Sequence, residues 1–191
     1  MILKQSGARS VLDLGCGSGR NLFYLLDQGF RVSGIDIAPA GIALIRKQLK
    51  QKDKNRCALK RGDIFAKLPY KDASFDAVVS VQVLQHSTEK SIQRAITEIE
   101  RVLRPEGFLF VTLCGRLSKG KVRYCLVKTA KKIAPRTYIP TIGDEKRLNT
   151  FIYDKKTLMK HYRNFRLIKL FRDANDYYCF FGQKKITSER A

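Results

Sequence analysis

Val11-Leu-Asp-Leu-Gly-Cys-Gly-Ser-Gly-Arg20 is the stretch whose reading decides the fold. An apolar run ends in an acid and breaks at once into glycines. That is the pattern of a buried parallel strand, a tight turn and a helix start. Three glycines in five residues let the backbone approach a ligand where any Cβ would collide with it. Such a turn could hold a phosphate, a nucleotide or an adenosyl group, so residues further along must discriminate.

Outward from the turn, strand and helix signals alternate. Few residues precede the first strand, Arg9 to Leu14. Leu22, Leu25 and Leu26 keep helical spacing, and Gly29 reads as the residue that ends that helix. Phe30 to Asp36 is a second strand. Pro39 suits the first turn of the next helix, with Ile42, Ile45 and Leu49 inward and Arg46, Lys47, Lys50, Lys52 and Lys54 outward. Arg56 to Lys60 is a third strand, leading to Gly62-Asp63, and residues 68–74 form a turn-rich crossing. Phe75 to Val81 is a nearly continuous apolar run of the kind buried on both faces. Ser87 or Thr88 caps a helix carrying Ile92, Ile96, Ile99 and Leu103, which Pro105-Glu-Gly107 stops before a fifth strand, Phe108 to Leu113. The alternation specifies a parallel sheet with helices on both faces.

After Cys114 the rhythm breaks. Residues 116–136 hold eight basic side chains and no acid, interleaved with apolar residues, and predict an amphipathic helix over about 121–133. Residues 136–153 are expected to be a long loop, a candidate lid. Asp154 caps a short helix to Tyr162, and His161 is expected at the surface or at that helix's end. Phe165–Phe171 and Tyr177–Phe181 flank a turn and predict a terminal hairpin. From Lys184 the chain is expected to fray.

A length of 191 residues predicts one domain, 1–191, with a basic insertion at about 116–153 on the substrate side. No apolar run nears the roughly 20 residues of a membrane span, and Met1 to Gly7 lacks a signal-peptide core. Five scattered cysteines and two histidines predict a reducing, cytoplasmic setting without disulfides and give no metal signature. Net charge is +21, and 20 of the 38 basic residues, against 6 acids, lie in residues 116–191. That surplus fits plain solubility, a polyanionic partner such as tRNA or rRNA, or an anionic membrane surface. Oligomeric state is unknown from sequence.

NAD is the obvious competitor for the glycine turn. Its fingerprint wants Gly-x-Gly-x-x-Gly, but Arg20 stands where the third glycine would fall. Asp36 ends strand two, where a carboxylate can accept from ribose hydroxyls of either cofactor. Asp63 closes strand three beside the same crevice, on the adenine side. Asp13, just before the turn, has no use for a pyrophosphate but suits an amino-acid ammonium group. Asp13 and Asp63 could also merely cap turns.

In these residues the chain resembles the class I S-adenosylmethionine-dependent methyltransferases. Val11 to Arg20 is similar to their first motif, Gly34-Ile-Asp36 to the second, and Gly62-Asp-Ile64 to the adenine-contacting segment. Ser74-Phe-Asp76 with Val83-Leu-Gln-His86 resembles their fourth strand and following loop, and Arg101 to Leu109 the stretch before strand five. The resemblance implies an α/β Rossmann-like, seven-stranded mixed sheet, order 3-2-1-4-5-7-6, with strand seven antiparallel. It implies S-adenosyl-L-methionine as cofactor and S-adenosyl-L-homocysteine as product. Gly15, Cys16 and Gly17 would lie against the methionine moiety, and Asp13 would help hold its ammonium group. Asp36 would take the ribose hydroxyls, Ile37 would pack on adenine, and Asp63 and Ile64 would read its edge. Ser80 and Gln85 would neighbour the methyl donor end.

Methyl transfer asks mainly for alignment and exclusion of water. His86 is the candidate base where an acceptor must lose a proton, and it could equally brace the next helix. Tyr124, Tyr138, Glu145 and Tyr153 fall in the stretch where an acceptor would bind. The resembled exocyclic-amine enzymes carry an Asn/Asp-Pro-Pro-aromatic tetrad after strand four; here that place reads Ser80 to His86 without proline. A small-molecule acceptor is therefore the leading expectation. A tRNA or rRNA acceptor, and a non-catalytic partner subunit of the same fold, are the alternatives.

Overall fold

The computed structural model describes residues 2–115, 130–141 and 146–186. Its main sheet is built from β1 (Ser10–Leu14), β2 (Arg31–Asp36), β3 (Cys57–Arg61), β4 (Phe75–Val81), β5 (Leu103–Leu113), β9 (Phe165–Arg172) and β10 (Tyr178–Lys184). The strand order is β3-β2-β1-β4-β5-β10-β9. The first five run parallel, and β10 is antiparallel to both β5 and β9. This is the expected 3-2-1-4-5-7-6 arrangement, with the terminal hairpin supplying the reversed strand.

Alternation along β1 shows how the two faces are divided. Leu12 and Leu14 enter a core completed by Ile92, Ile96 and Ile99 of α4 (Glu89–Val102) and Leu158 of α5 (Lys155–His161). Val11 enters the opposite core, covered by Leu3 of α1 (Ile2–Gln5), Leu22, Leu25 and Leu26 of α2 (Arg20–Asp27), and Ile42 and Ile45 of α3 (Pro39–Gln48). Asp13 shares the parity of Val11, so it points to the α2 side. The caps are as expected: Thr88 accepts from the Ser91 amide and Asp154 from the Thr157 amide. No helix among the described residues is long and apolar enough to cross a membrane.

Several expectations need correction. Pro105-Glu-Gly107 does not separate α4 from β5. The helix ends at Val102, and β5 begins at once at Leu103, pairing with Phe75 before its register shifts. The three residues form an irregularity inside the strand, with Glu106 at φ 60. Residues 130–133 are not helical: β6 (Ala130–Ala134) pairs antiparallel with β7 (Thr137–Pro140), and β7 with β8 (Thr150–Phe151). The remainder of the expected helix, 121–129, lies outside the described residues. The expected long loop thus contains two strands of a small sheet, whose partners across 130–140 make the hydrogen bonds that local spacing could not reveal. Lys184 is not frayed; its ammonium donates to the Glu100 and Leu103 carbonyls.

The 68–74 crossing is held above all by Arg101, with Glu98, Lys60 and Arg104 adding a bond each to Leu68, Pro69 and Ala73. Arg101 donates to Glu98, Asp72 and the carbonyls of Leu68 and Tyr70. Charge-assisted bonds contribute about 1.5–3 kcal/mol where the pair is partly buried, and Arg101 is largely covered while Asp72 is exposed. Arg101→Met is expected to cost about 2 kcal/mol, read as a lower urea midpoint at unchanged slope.

Candidate functional site

The site lies at the carboxyl ends of β1, β2 and β4, where an open α/β sheet leaves a crevice. The Gly15 and Cys16 amides both donate to the Ile35 carbonyl, so the turn is tied to the end of β2. A Cβ on Gly15 would stand 2.6 Å from Val83, in the loop after β4. Gly17 is the opposite case. It has φ 50 and nothing within 4 Å of a built Cβ, so its Cα faces open space.

Asp36 closes this turn. Its Oδ2 accepts from the Gly17 amide at 2.7 Å and its Oδ1 from the Ala38 amide at 2.8 Å. Each oxygen keeps a second lone pair for a ligand hydroxyl. Beside it Ile37 is 63% exposed, unusual for an isoleucine and apt for stacking under a flat ring. The Gly62 amide donates to the Asp36 carbonyl, bringing Asp63 to the same rim. Asp63 is exposed and accepts from the Phe65 amide at 2.9 Å, while Ile64 is buried in the α4-side core. Asp63 therefore does make a turn bond, with its other oxygen left over.

Asp13 lies behind the turn with no exposed surface; the Leu22 amide is near enough to favour its charge but falls short of hydrogen-bond geometry, so neither carboxylate oxygen has a hydrogen-bond partner among the described residues. Burial raises its pKa to about 7; the Asp36 carboxylate adds to the rise, while the Leu22 amide and Arg20 oppose it. Cys16 is buried, and burial next to Asp13 pushes its thiol up to about 12, leaving no thiolate for chemistry. It is a small side chain under the turn.

The donor-end candidates divide. Ser80 is buried and donates to the Leu14 carbonyl at 2.9 Å, spacing β4 against β1. Gln85 is fully buried, with Nε2 3.4 Å from His86 Nε2 and Oε1 without a partner among the described residues. His86 is half-buried in a turn closed by its amide on the Val83 carbonyl. On the acceptor side Tyr138 is half-buried on β7. Tyr124 and Glu145 lie outside the described residues. Tyr153 is a correction: it has no exposed surface and packs between Phe151 and His161, so no acceptor reaches it. His161 lies at the helix end, as expected, and is only 7% exposed.

Two residues of the site were not foreseen. Gln82 has φ 58 directly after β4, held there by bonds from its amide to the Thr112 carbonyl and hydroxyl. Gly41 of α3 touches the turn from the far side: its built Cβ would lie 2.4 Å from the Gly17 carbonyl oxygen. An isolated glycine inside a helical pattern was the available signal for it.

The donor set fits S-adenosylmethionine. A buried carboxylate without a partner awaits a cation, an open glycine cradle admits backbone contact, and an acid with spare lone pairs stands next to an exposed apolar side chain.

Comparison with known proteins agrees. A family model described as a methyltransferase domain matches residues 12–111, more than half of the chain. A tRNA N(3)-methylcytidine methyltransferase of Drosophila melanogaster is 30% identical over 138 residues, covering 69% of this chain and 41% of that protein. A demethylmenaquinone methyltransferase of Tropheryma whipplei is 34% identical over 110 residues, covering 58% and 44%. The chain spans about two fifths of the length of the curated relatives it matches. A solved SAM-dependent methyltransferase of Methanosarcina mazei superposes with a TM-score of 0.73 at 24% identity, covering 93% of each chain, which shows the shared fold.

Proposed function

Because the chain belongs to the methyltransferase-domain family, we propose that it transfers a methyl group from S-adenosylmethionine to a small-molecule acceptor. The observation that carries this reading is Asp13, a buried carboxylate without a partner behind an open glycine turn. When bound, the cofactor supplies a methyl on a positively charged sulfur, already a good leaving group. The chain's own work is then to bind, orient and exclude water. Asp13 takes the ammonium group, Asp36 the ribose hydroxyls, Ile37 the adenine face, and Asp63 with the Ile64 amide its edge. Gly15, Cys16 and Gly17 provide backbone contact, and Ser80 and Gln85 shape the donor end. His86 accepts a proton where the acceptor must lose one. The acceptor side of this single unit is the 116–153 insertion, with Tyr138 on it. The scattered cysteines support a cytoplasmic setting.

An RNA acceptor is the second reading. Similarity to the tRNA-methylating relative extends over 138 residues rather than 110, and Arg46, Lys47, Lys50, Lys52 and Lys54 are all exposed along one edge of the sheet. S-adenosylhomocysteine is expected to bind in calorimetric titration and NAD to give no heat. Radiolabelled S-adenosylmethionine, offered to a metabolite extract and to total small RNA, is expected to label the extract. Label in RNA that RNase removes and that falls steeply with salt would establish the second reading. No binding of S-adenosylhomocysteine would leave a non-catalytic partner subunit.

A further inference from the structure

A second buried polar cluster lies away from the cofactor crevice. His161 ends α5, and its ring is surrounded. Nε2 is 3.0 Å from Glu89 Oε1, at the start of α4, and Nδ1 is 3.3 Å from Tyr153 Oη. A neutral ring with its hydrogen on Nε2 satisfies both, donating to the carboxylate and accepting from the phenol. The ring also lies against Phe151, with centroids 5.7 Å apart and planes 28° from parallel.

What Phe151 and Tyr153 carry gives the cluster its meaning. The Phe151 amide donates to the Gln85 carbonyl, in the loop after β4, at 2.8 Å. The Tyr153 amide donates to the Cys114 carbonyl, just past β5, also at 2.8 Å, and Tyr153 bridges Gly115. Between them the Ile152 amide donates to the Arg136 carbonyl, and Thr137 pairs with Phe151 across the small sheet. Three consecutive residues therefore tie the donor-end loop, the end of β5 and the small sheet into one body. Packing alone would need only an apolar ring beside Phe151. The bond between Tyr153 and the buried His161 ring, which Glu89 holds from its other nitrogen, fixes the rotation of Tyr153, and with it the height of this strut.

We propose that His161 is a positioning residue for methyl transfer: by joining Tyr153 to Glu89 it fixes the Phe151–Tyr153 strut, and so sets the Gln85 loop against the acceptor-side sheet. This rests on the proposed methyl transfer. His161→Phe keeps the ring and its stack, and leaves Glu89 able to turn to water because its side chain is 43% exposed. Amide exchange at Phe151 and Tyr153 is expected to speed up about tenfold, with Val79 and Ile99 unchanged. Methyl label transferred to the metabolite extract is expected to fall about tenfold at unchanged affinity for S-adenosylhomocysteine. His161→Gln, which keeps a donor and an acceptor, is expected to restore most of both. Wild-type exchange at Phe151 and Tyr153 in His161→Phe, or an equal rise at all four amides, would overturn the positioning role. Failure of the wild-type chain to bind S-adenosylhomocysteine or transfer label would instead remove the methyl-transfer reading, whatever the exchange rates.

Discussion

Asp13→Asn is expected to flatten the pH dependence of stability and to make the ligand-free chain more stable above neutral pH. In the unfolded chain this carboxyl titrates near 3.8, and in the folded chain near 7. A carboxyl whose folded pKa is raised contributes stability fully below pH 4. That contribution is lost as pH rises, until the group ionises in the fold above pH 7. The loss amounts to about 4 kcal/mol across that window. Asparagine has the same shape and no charge to bury, though its amide still lacks a partner, at about 1–3 kcal/mol. Urea unfolding at pH 5 and pH 8 is expected to show the wild type weakening and the variant nearly level, with the variant ahead by about 2 kcal/mol at pH 8. The same proton is linked to the ligand: an ammonium group beside Asp13 favours the carboxylate, so binding of S-adenosylhomocysteine near pH 6.5 is expected to release a proton. Calorimetric heats in phosphate and in Tris should differ for the wild type and agree for the variant, whose affinity at pH 8 falls about tenfold. Equal heats in both buffers for the wild type would sink the assignment.

The parts of the fold legible in the sequence are those whose signal is local. The apolar run at 75–81 needed no partner to be read as a buried strand, and it is one from Phe75 to Val81. The glycine turn and Asp36 were legible together because the turn's geometry and the acid's distance along the chain are both short-range. Residues 130–133 were misread because apolar residues among lysines, Ile133 with Val127 and Leu126, satisfy a helical period as well as a strand. What settled it is pairing with Thr137–Pro140, a contact the pattern does not contain. The burial of His161 and of Tyr153 was missed for a related reason. A histidine in a lysine-rich stretch looks exposed until Glu89, 72 residues away, arrives to bond it. Gln82 could not be found at all, since glutamine carries no preference for φ 58; Thr112 on the next strand holds it there.

Gly41 is where this limit has its largest consequence, and Gly41→Ala is expected to disable the site. On propensity alone the change should help, since alanine in a helix is favoured over glycine by about 1 kcal/mol. The new methyl, however, would stand 2.4 Å from the Gly17 carbonyl oxygen and 2.8 Å from its carbon, against normal contacts of about 3.5 Å. Both neighbours are backbone, so no side chain can swing aside; α3 must lift, drawing its own Ile42 and Ile45 out of the core, or the glycine turn must retreat by about 1 Å. Either movement strains the 2.7 Å bond from the Gly17 amide to Asp36. Overpacking of this kind costs about 1–3 kcal/mol, and a displacement of about 1 Å at a binding turn can cost a hundredfold. Affinity for S-adenosylhomocysteine is therefore expected to fall about a hundredfold, with a lowered urea midpoint. Gly17→Ala separates the causes. Its methyl would enter open space, so stability should drop only by the roughly 1–2 kcal/mol of a left-handed alanine, while the methyl itself occupies the ligand's cradle and abolishes binding. If Gly41→Ala binds S-adenosylhomocysteine within twofold of the wild type, the packing of α3 on the turn does not set the shape of the cradle, and the contact is incidental.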